Sequence, residues 1–320
     1  MRPVRILIIT LICLLPVLGS AGNAKIDDLV VFGDSLSDPG NAYALLGEQS
    51  VAPFELIPAA PYAIGGHHFS NGRTWVEQLG HEFGVNVGPA YSVAGFNNYA
   101  IGSARARSVG QIYLSMQVTT FLGRYGGRAP AGNLYVLFIG GNDIRDAIQS
   151  FATDPTGQAA RAIITDALAA IADNLGSLAG AGARQFLVLN APDLSLVPAI
   201  RLQADPALSQ LAQSLSASFN QGLLAVLTNL ESMHSVNIKT VDIFSLLNLV
   251  ANDPDSQGFS EVEFPCINPG VVQQAICAQP NEYLFWDGIH PTRTGHKLIA
   301  NTVMEQYPAR KKPKQHAVNE

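Results

Sequence analysis

Short strand-like runs recur along the chain at 28–32, 133–139, 184–189 and 237–243. The first three are continuously apolar through their centres. Apolar runs without polar alternation mark strands covered on both faces, and hence a parallel sheet. Between them lie stretches of helical periodicity. Residues 159–178 are rich in Ala, Leu and Ile, with apolar positions spaced at about 3.6 residues and Gly180 and Gly182 at the end. Residues 207–231 and 294–307 repeat the pattern. Strands alternating with helices predict a single α/β sandwich. No internal repeat or low-complexity linker divides it.

The first residues follow a different grammar. Arg2 and Arg5 precede an apolar run at 6–18, broken by Pro16, and small residues follow at Gly19, Ser20, Ala21, Gly22 and Ala24. This is the pattern of a signal for export. It predicts removal of residues 1–24 after Ala21 or Ala24, a folded domain over 25–308 and a secreted or periplasmic protein. The end, 309–320, reads as a basic, proline-broken, frayed tail. Cys13 lies within the signal, leaving Cys266 and Cys277 as an even pair. In an oxidising compartment the pair is expected to form a disulfide closing a short loop. Two buried thiols are the alternative.

Composition narrows the function. Of 320 residues, 48% are hydrophobic, enough for a sizeable core, and only 14% are charged, with a net charge of -6. Such a chain has no basic footprint for nucleic-acid phosphates. Three cysteines exclude a disulfide-dense scaffold and a four-cysteine zinc site. No apolar run is long enough for a multi-pass membrane protein.

Four places carry candidate chemistry. Ser35 follows the first strand directly, where open parallel sheets bind their ligands. It reads either as a nucleophile or as a helix N-cap. The Gly-x-Ser-x-Gly elbow of α/β-hydrolases is absent from the chain. Asp287 and His290 stand on a short loop before the last helix, with Pro291 holding His290 out of helical geometry. A carboxylate three residues away can orient one ring nitrogen and leave the other to take a hydroxyl proton. A loop histidine merely satisfied by its neighbour is the plainer reading. A metal pair is a third, with His67 and His68 the nearest further ligands. Asn142 follows the second strand and is either an oxyanion donor or a turn residue. Gly102 and Ser103 close a small-residue stretch at 98–104 where backbone N–H groups can approach a ligand.

In this order, residues 32–38, 98–102, 140–143 and 287–290 resemble the four blocks of the SGNH hydrolase superfamily, the GDSL lipases and esterases. Residues 70–76 and 283–286 are similar to its bacterial phospholipase and acyltransferase branch. The similarity spans about 29–299. It implies a three-layer α/β/α, flavodoxin-like sandwich around a parallel sheet of about five strands. It also implies Ser35 as nucleophile, His290 as base, Asp287 as its orienting carboxylate, and Ser35 N–H and Asn142 as oxyanion donors. The second block usually holds two glycines, the second donating its N–H. Here the pair is Gly102 and Ser103. A backbone donor needs no glycine unless its φ is positive, so Ser103 N–H is expected to serve, with Gly102 the alternative.

The resemblance implies no metal or organic cofactor and no obligate protein partner. The expected substrate is a lipid ester, met by transient contact with a membrane surface. Phospholipase A or lysophospholipase activity leads, with acyl transfer as an extension. The low charge and an apolar stretch with Phe54, Leu56 and Ile57 lean towards lipid. A carbohydrate or cell-wall O-acetylesterase is the enzymatic rival, and a binding module with a decayed site the other. The segment between Cys266 and Cys277, with its tip at 269–272, is expected to act as a lid.

Overall fold

The computed structural model describes residues 26–47, 67–267 and 276–307. The signal-like segment 1–24, the apolar stretch at 54–57, the loop tip at 269–272 and the tail 309–320 lie outside them. In chain order the elements are β1 (Leu29–Gly33), α1 (Asn41–Leu46), α2 (Trp75–Phe83), α3 (Leu114–Arg124), β2 (Leu134–Phe138) and α4 (Gly141–Ser150). Then follow α5 (Gln158–Ala181), β3 (Gln185–Leu189), α6 (Pro198–Arg201), α7 (Pro206–Met233), β4 (Asn237–Val241), α8 (Ile243–Asn252) and α9 (Arg293–Gln306).

The four strands are parallel, in the order β1, β2, β3, β4. Leu29 stands beside Leu134, Val136 beside Leu187 and Leu187 beside Lys239. The free edge of β1 is also used. Val31 N–H donates to Asn97 O at 2.9 Å, Tyr99 N–H to Val31 O at 2.7 Å and Ile101 N–H to Gly33 O at 3.2 Å. This extended segment is a fifth, strand-like row, so the expected five-stranded sheet is present as four strands and an edge. The chain leaves β1 on one side and returns as β2 on the other. Ligand crevices of open α/β sheets form at that reversal, outside the carboxyl ends of the strands.

Along β1, β2 and β3 both faces are covered, which is why these strands read as unbroken apolar runs. Val30, Phe32, Tyr135 and Leu137 pack with Phe121 of α3, Ile144 of α4, Ile171 of α5 and Phe219 of α7. Leu29, Val31, Leu134 and Val136 pack with Trp75 and Leu79 of α2 and Ile299 and Val303 of α9. Helix starts follow local chemistry. Asp205 accepts from Ala207 N–H and Leu208 N–H ahead of α7, with Pro206 in its first turn, and Thr292 Oγ1 accepts from Gly295 N–H at α9.

Candidate active site

Ser35 sits on a tight turn that β1 and β2 bring together. A Cβ at Gly33 would lie 2.5 Å from Phe138 O, so glycine alone lets the two strand ends meet. Gln117 of α3 clips the same residue, accepting from Gly33 N–H at 2.9 Å and donating to Gly33 O at 2.8 Å. The turn closes through Ser37 N–H to Asp34 O, and Leu36 N–H donates to Asp34 Oδ1 at 3.1 Å. The nearest helix, α1, begins only at Asn41. Ser35 is therefore not an N-cap. Asp38 caps α1 instead, accepting from Gly40, Asn41 and Ala42 N–H, and its Oδ2 also receives Gly102 N–H at 2.7 Å.

Asp287 and His290 meet Ser35 from the other end of the chain. His290 Nδ1 lies 2.7 Å from Asp287 Oδ2, and His290 Nε2 lies 2.7 Å from Ser35 Oγ. An ionised carboxylate only accepts, so it places the ring proton on Nδ1 and leaves the Nε2 lone pair facing the hydroxyl. Asp287 Oδ1 takes N–H groups of Ile289 and His290 at 2.8 and 2.7 Å, and Trp286 N–H donates to His290 O at 2.7 Å. Burial works against ionisation of Asp287, but His290 and these donors outweigh it and hold its carboxyl below the usual range. The Phe69 ring lies 5.2 Å from the His290 ring.

The loop is braced from outside. Cys266 and Cys277 form a disulfide. Cys266 N–H and Ile267 N–H donate to Phe285 O and Trp286 O at 2.9 and 2.8 Å.

Asn142 is the second residue of α4. Its Nδ2 donates to Ala104 O at 3.0 Å, which orients the amide, and its other N–H makes no hydrogen bond among the described residues. Of the two backbone candidates, Gly102 is engaged, since its N–H is held by Asp38. Ser103 N–H makes no hydrogen bond among the described residues, and neither does Ser35 N–H. Ser103 has φ +67°. The expectation that serine stands here in an ordinary conformation is thus corrected: the backbone takes the left-handed form that two glycines would supply freely. The His67 ring stacks on Tyr43 at 3.5 Å, and His68 Nε2 lies 2.8 Å from Glu77 Oε2.

A cleft of about 1020 Å³, open solvent at its mouth included, adjoins Ser35 and Asn142. Its walls are almost wholly apolar, including Leu194, Val197, Ile200, Ile243, Leu247 and Val250. Asp34 and Arg145 are the charged residues that line it. Burial pushes the Asp34 carboxyl up to about 7, although Leu36 N–H and the nearby His290 and Arg145 pull the other way. Burial likewise lowers Arg145, whose Nε is buried without a hydrogen bond among the described residues. His296 of α9 lies fully inside, and burial takes it down to about 3, so the ring is neutral. None of these three stood out in the sequence, because each is defined by what long-range folding places around it.

A family model described as GDSL-like Lipase/Acylhydrolase matches residues 29–303. Among similar proteins, a GDSL esterase/lipase of Arabidopsis thaliana is 31% identical, over 91% of this chain and 92% of its own length. A phosphatidylcholine-sterol acyltransferase of Aeromonas hydrophila is 29% identical, over 85% and 87%. A thermolabile hemolysin of Vibrio parahaemolyticus is 22% identical, over 88% of this chain and 64% of its own length.

Proposed function

The chain belongs to the GDSL-like lipase/acylhydrolase family as a serine esterase or lipase, and from that premise we propose that it is exported and cleaves fatty-acyl esters of lipids through an acyl-enzyme on Ser35. The observation that carries this is the hydrogen-bonded line from Asp287 through His290 to Ser35, set at the mouth of an apolar cleft.

In this reading His290 Nε2 takes the Ser35 proton as Oγ attacks the ester carbonyl. Asp287 keeps the ring in the required tautomer and stabilises the imidazolium that forms. The tetrahedral oxyanion is met by Ser35 N–H, Ser103 N–H and the other N–H of Asn142, each contributing about 3–4 kcal/mol at the transition state. His290 returns its proton to the leaving alcohol as the carbon–oxygen bond breaks. Water, or an acceptor alcohol, then attacks the acyl-enzyme by the same steps, giving hydrolysis or acyl transfer.

The cleft sets the substrate class. Each methylene taken from water gains about 0.8 kcal/mol. A cleft with such apolar walls therefore favours a fatty acyl group over acetyl, which has no methylene to bury. The name of the Aeromonas relative, an acyltransferase acting on phosphatidylcholine, is consistent with a phospholipid donor.

Fluorophosphonate labelling and an ester panel test the proposal together. Native protein is expected to be labelled at Ser35 and Ser35→Ala to be silent. Rates are expected to rise from acetyl to octanoyl esters. Labelling elsewhere refutes the nucleophile, and best activity on acetylated sugars refutes the lipid substrate.

A further inference from the structure

A positive charge stands in the wall of the cleft with no partner among the described residues. Gly141, Asn142, Arg145 and Ile148 of α4 line the cleft together, the spacing of one helix face. Arg145 is half-buried there, and its Nε is shielded without a hydrogen bond. Burial disfavours its charge, yet a guanidinium keeps its proton in any folded protein. Two carboxylates act on it, and neither neutralises it. Asp146 is taken up elsewhere: Oδ1 accepts from Arg105 Nη2 at 2.9 Å, and Oδ2 from Arg105 Nε at 2.6 Å and from Arg107. Asp34 forms no ion pair with Arg145 and holds its own proton up to about pH 7. Arg105 is a like charge nearby and adds to the imbalance.

An uncompensated charge in apolar surroundings is costly, and folded proteins rarely keep one. An anion arriving with the substrate would complete it, and low-polarity walls strengthen that attraction. The planar guanidinium fork matches two oxygens of a phosphate. Position narrows the choice further. Arg145 lies three residues beyond Asn142, about 4.5 Å along the helix axis, and Asn142 marks the place of the ester carbonyl oxygen. The anion must therefore sit several ångströms from the reacting carbon. A fatty-acid carboxylate does not fit, because its carbon is the reacting carbon. In a glycerophospholipid the phosphorus is five or six bonds from an ester carbon, about 6–7 Å at roughly 1.5 Å per bond. The acyl chain can then lie on the apolar walls while the phosphodiester reaches Arg145.

We propose that Arg145 is a specificity-determining residue: it binds the phosphodiester of a glycerophospholipid whose ester carbonyl lies at Ser35. The inference rests on the serine-esterase reading above and deepens it, since the walls select the acyl chain and Arg145 selects the charged leaving group.

Two lipids with the same lauroyl chain test this, lysophosphatidylcholine and monoacylglycerol, each in the same nonionic detergent micelles. Native protein is expected to have the higher kcat/KM on the phospholipid, by about tenfold or more. Arg145→Gln is expected to lose about 10- to 100-fold on the phospholipid and less than about threefold on the neutral lipid, which erases the preference. Arg145→Lys should fall between, since an ammonium keeps the charge without the fork. The melting temperature of Arg145→Gln should not drop, because the charge it removes has no partner to lose. Equal losses on the two lipids, no loss on the phospholipid, or a native protein that does not prefer it each overturn the proposal. Inorganic phosphate is added to p-nitrophenyl octanoate assays as a further arm. Inhibition that needs Arg145, with no discrimination between the lipids, assigns the site to a free anion and also overturns it. If Arg145→Gln fails to fold, Arg145→Met, which suits the apolar wall, takes its place. Ser35→Ala separates the levels. Full activity in that variant removes the esterase reading and this inference with it. A dead Ser35→Ala with no lipid preference in the native protein removes the role of Arg145 alone.

Discussion

Ser35 Oγ lies 2.7 Å from His290 Nε2, although the two residues stand 255 positions apart in the chain. The contact exists because β1 ends where the loop before α9 returns, so the hydroxyl and the imidazole are fixed by distant parts of the chain. Groups that act as one unit lose their effect together. Ser35→Ala and His290→Ala are each expected to lower kcat on the order of 10⁶-fold, and the double variant no further. Single-turnover rates of the three variants check this. Additive losses would mean that the two act independently.

Asn142→Ala removes one donor and leaves the rest of the site in place. The expected loss is about 10²–10³-fold in kcat with little change in KM, because in the proposed mechanism the amide acts on the oxyanion and not on the bound ester. A change in KM alone would make Asn142 a substrate-binding group.

Much of this arrangement was legible before folding. The strand runs at 28–32, 133–139 and 184–189 match β1, β2 and β3 within a residue or two at each end, because strands buried on both faces leave an unbroken apolar signature. The three expected helices are α5, α7 and α9. The helix α4 was hidden. Gly140, Gly141 and Asn142 spell a turn, yet Gly140 at φ +119° both ends the strand and opens the helix. Arg105 gave no local signal, since its partners are a carbonyl two residues back and a carboxylate 41 residues on. Asp34 was masked by its neighbour. Its unusual acidity comes from burial, which no spacing encodes.

That burial predicts a pH dependence of stability. Folded Asp34 keeps its proton up to about pH 7, against 3.8 for an ordinary carboxyl. Between those values the folded state binds more protons than the unfolded chain, so this residue's contribution falls as pH rises and levels off above about 7. Asp34→Asn removes the titration. The variant should match the native protein near pH 4 and exceed it at pH 8, by up to about 4 kcal/mol. Urea unfolding at both pH values measures the difference. A gap that does not change with pH would show that Asp34 is ionised in the folded state throughout.

Leu247 lies on the wall of the cleft, on α8. Leu247→Phe adds bulk that a bound chain must avoid, and overfilled apolar space is costly. Relative to butyrate, the rate on dodecanoate esters is expected to fall by about tenfold or more. If both esters slow equally, the chain does not run past Leu247.

The disulfide gives the last expectation. Cys266 and Cys277 are 11 positions apart. The Cys266 end of this loop is tied to the segment that leads into Asp287, through Cys266 N–H to Phe285 O and Ile267 N–H to Trp286 O, and Cys277 N–H donates to Cys266 O. Trp286 is buried beside Ile267 and Cys266 and immediately precedes Asp287. A staple there acts on the seat of the carboxylate, whatever the tip does. Cys266→Ala with Cys277→Ala is expected to cost about 3 kcal/mol of stability. Rates on butyrate and on a long-chain phospholipid should then fall together, because both need Asp287 in place. A loss confined to the long-chain substrate would instead show that the loop governs access. Thermal unfolding measured beside the two rates separates these outcomes, since a brace lowers the melting temperature and both rates in parallel.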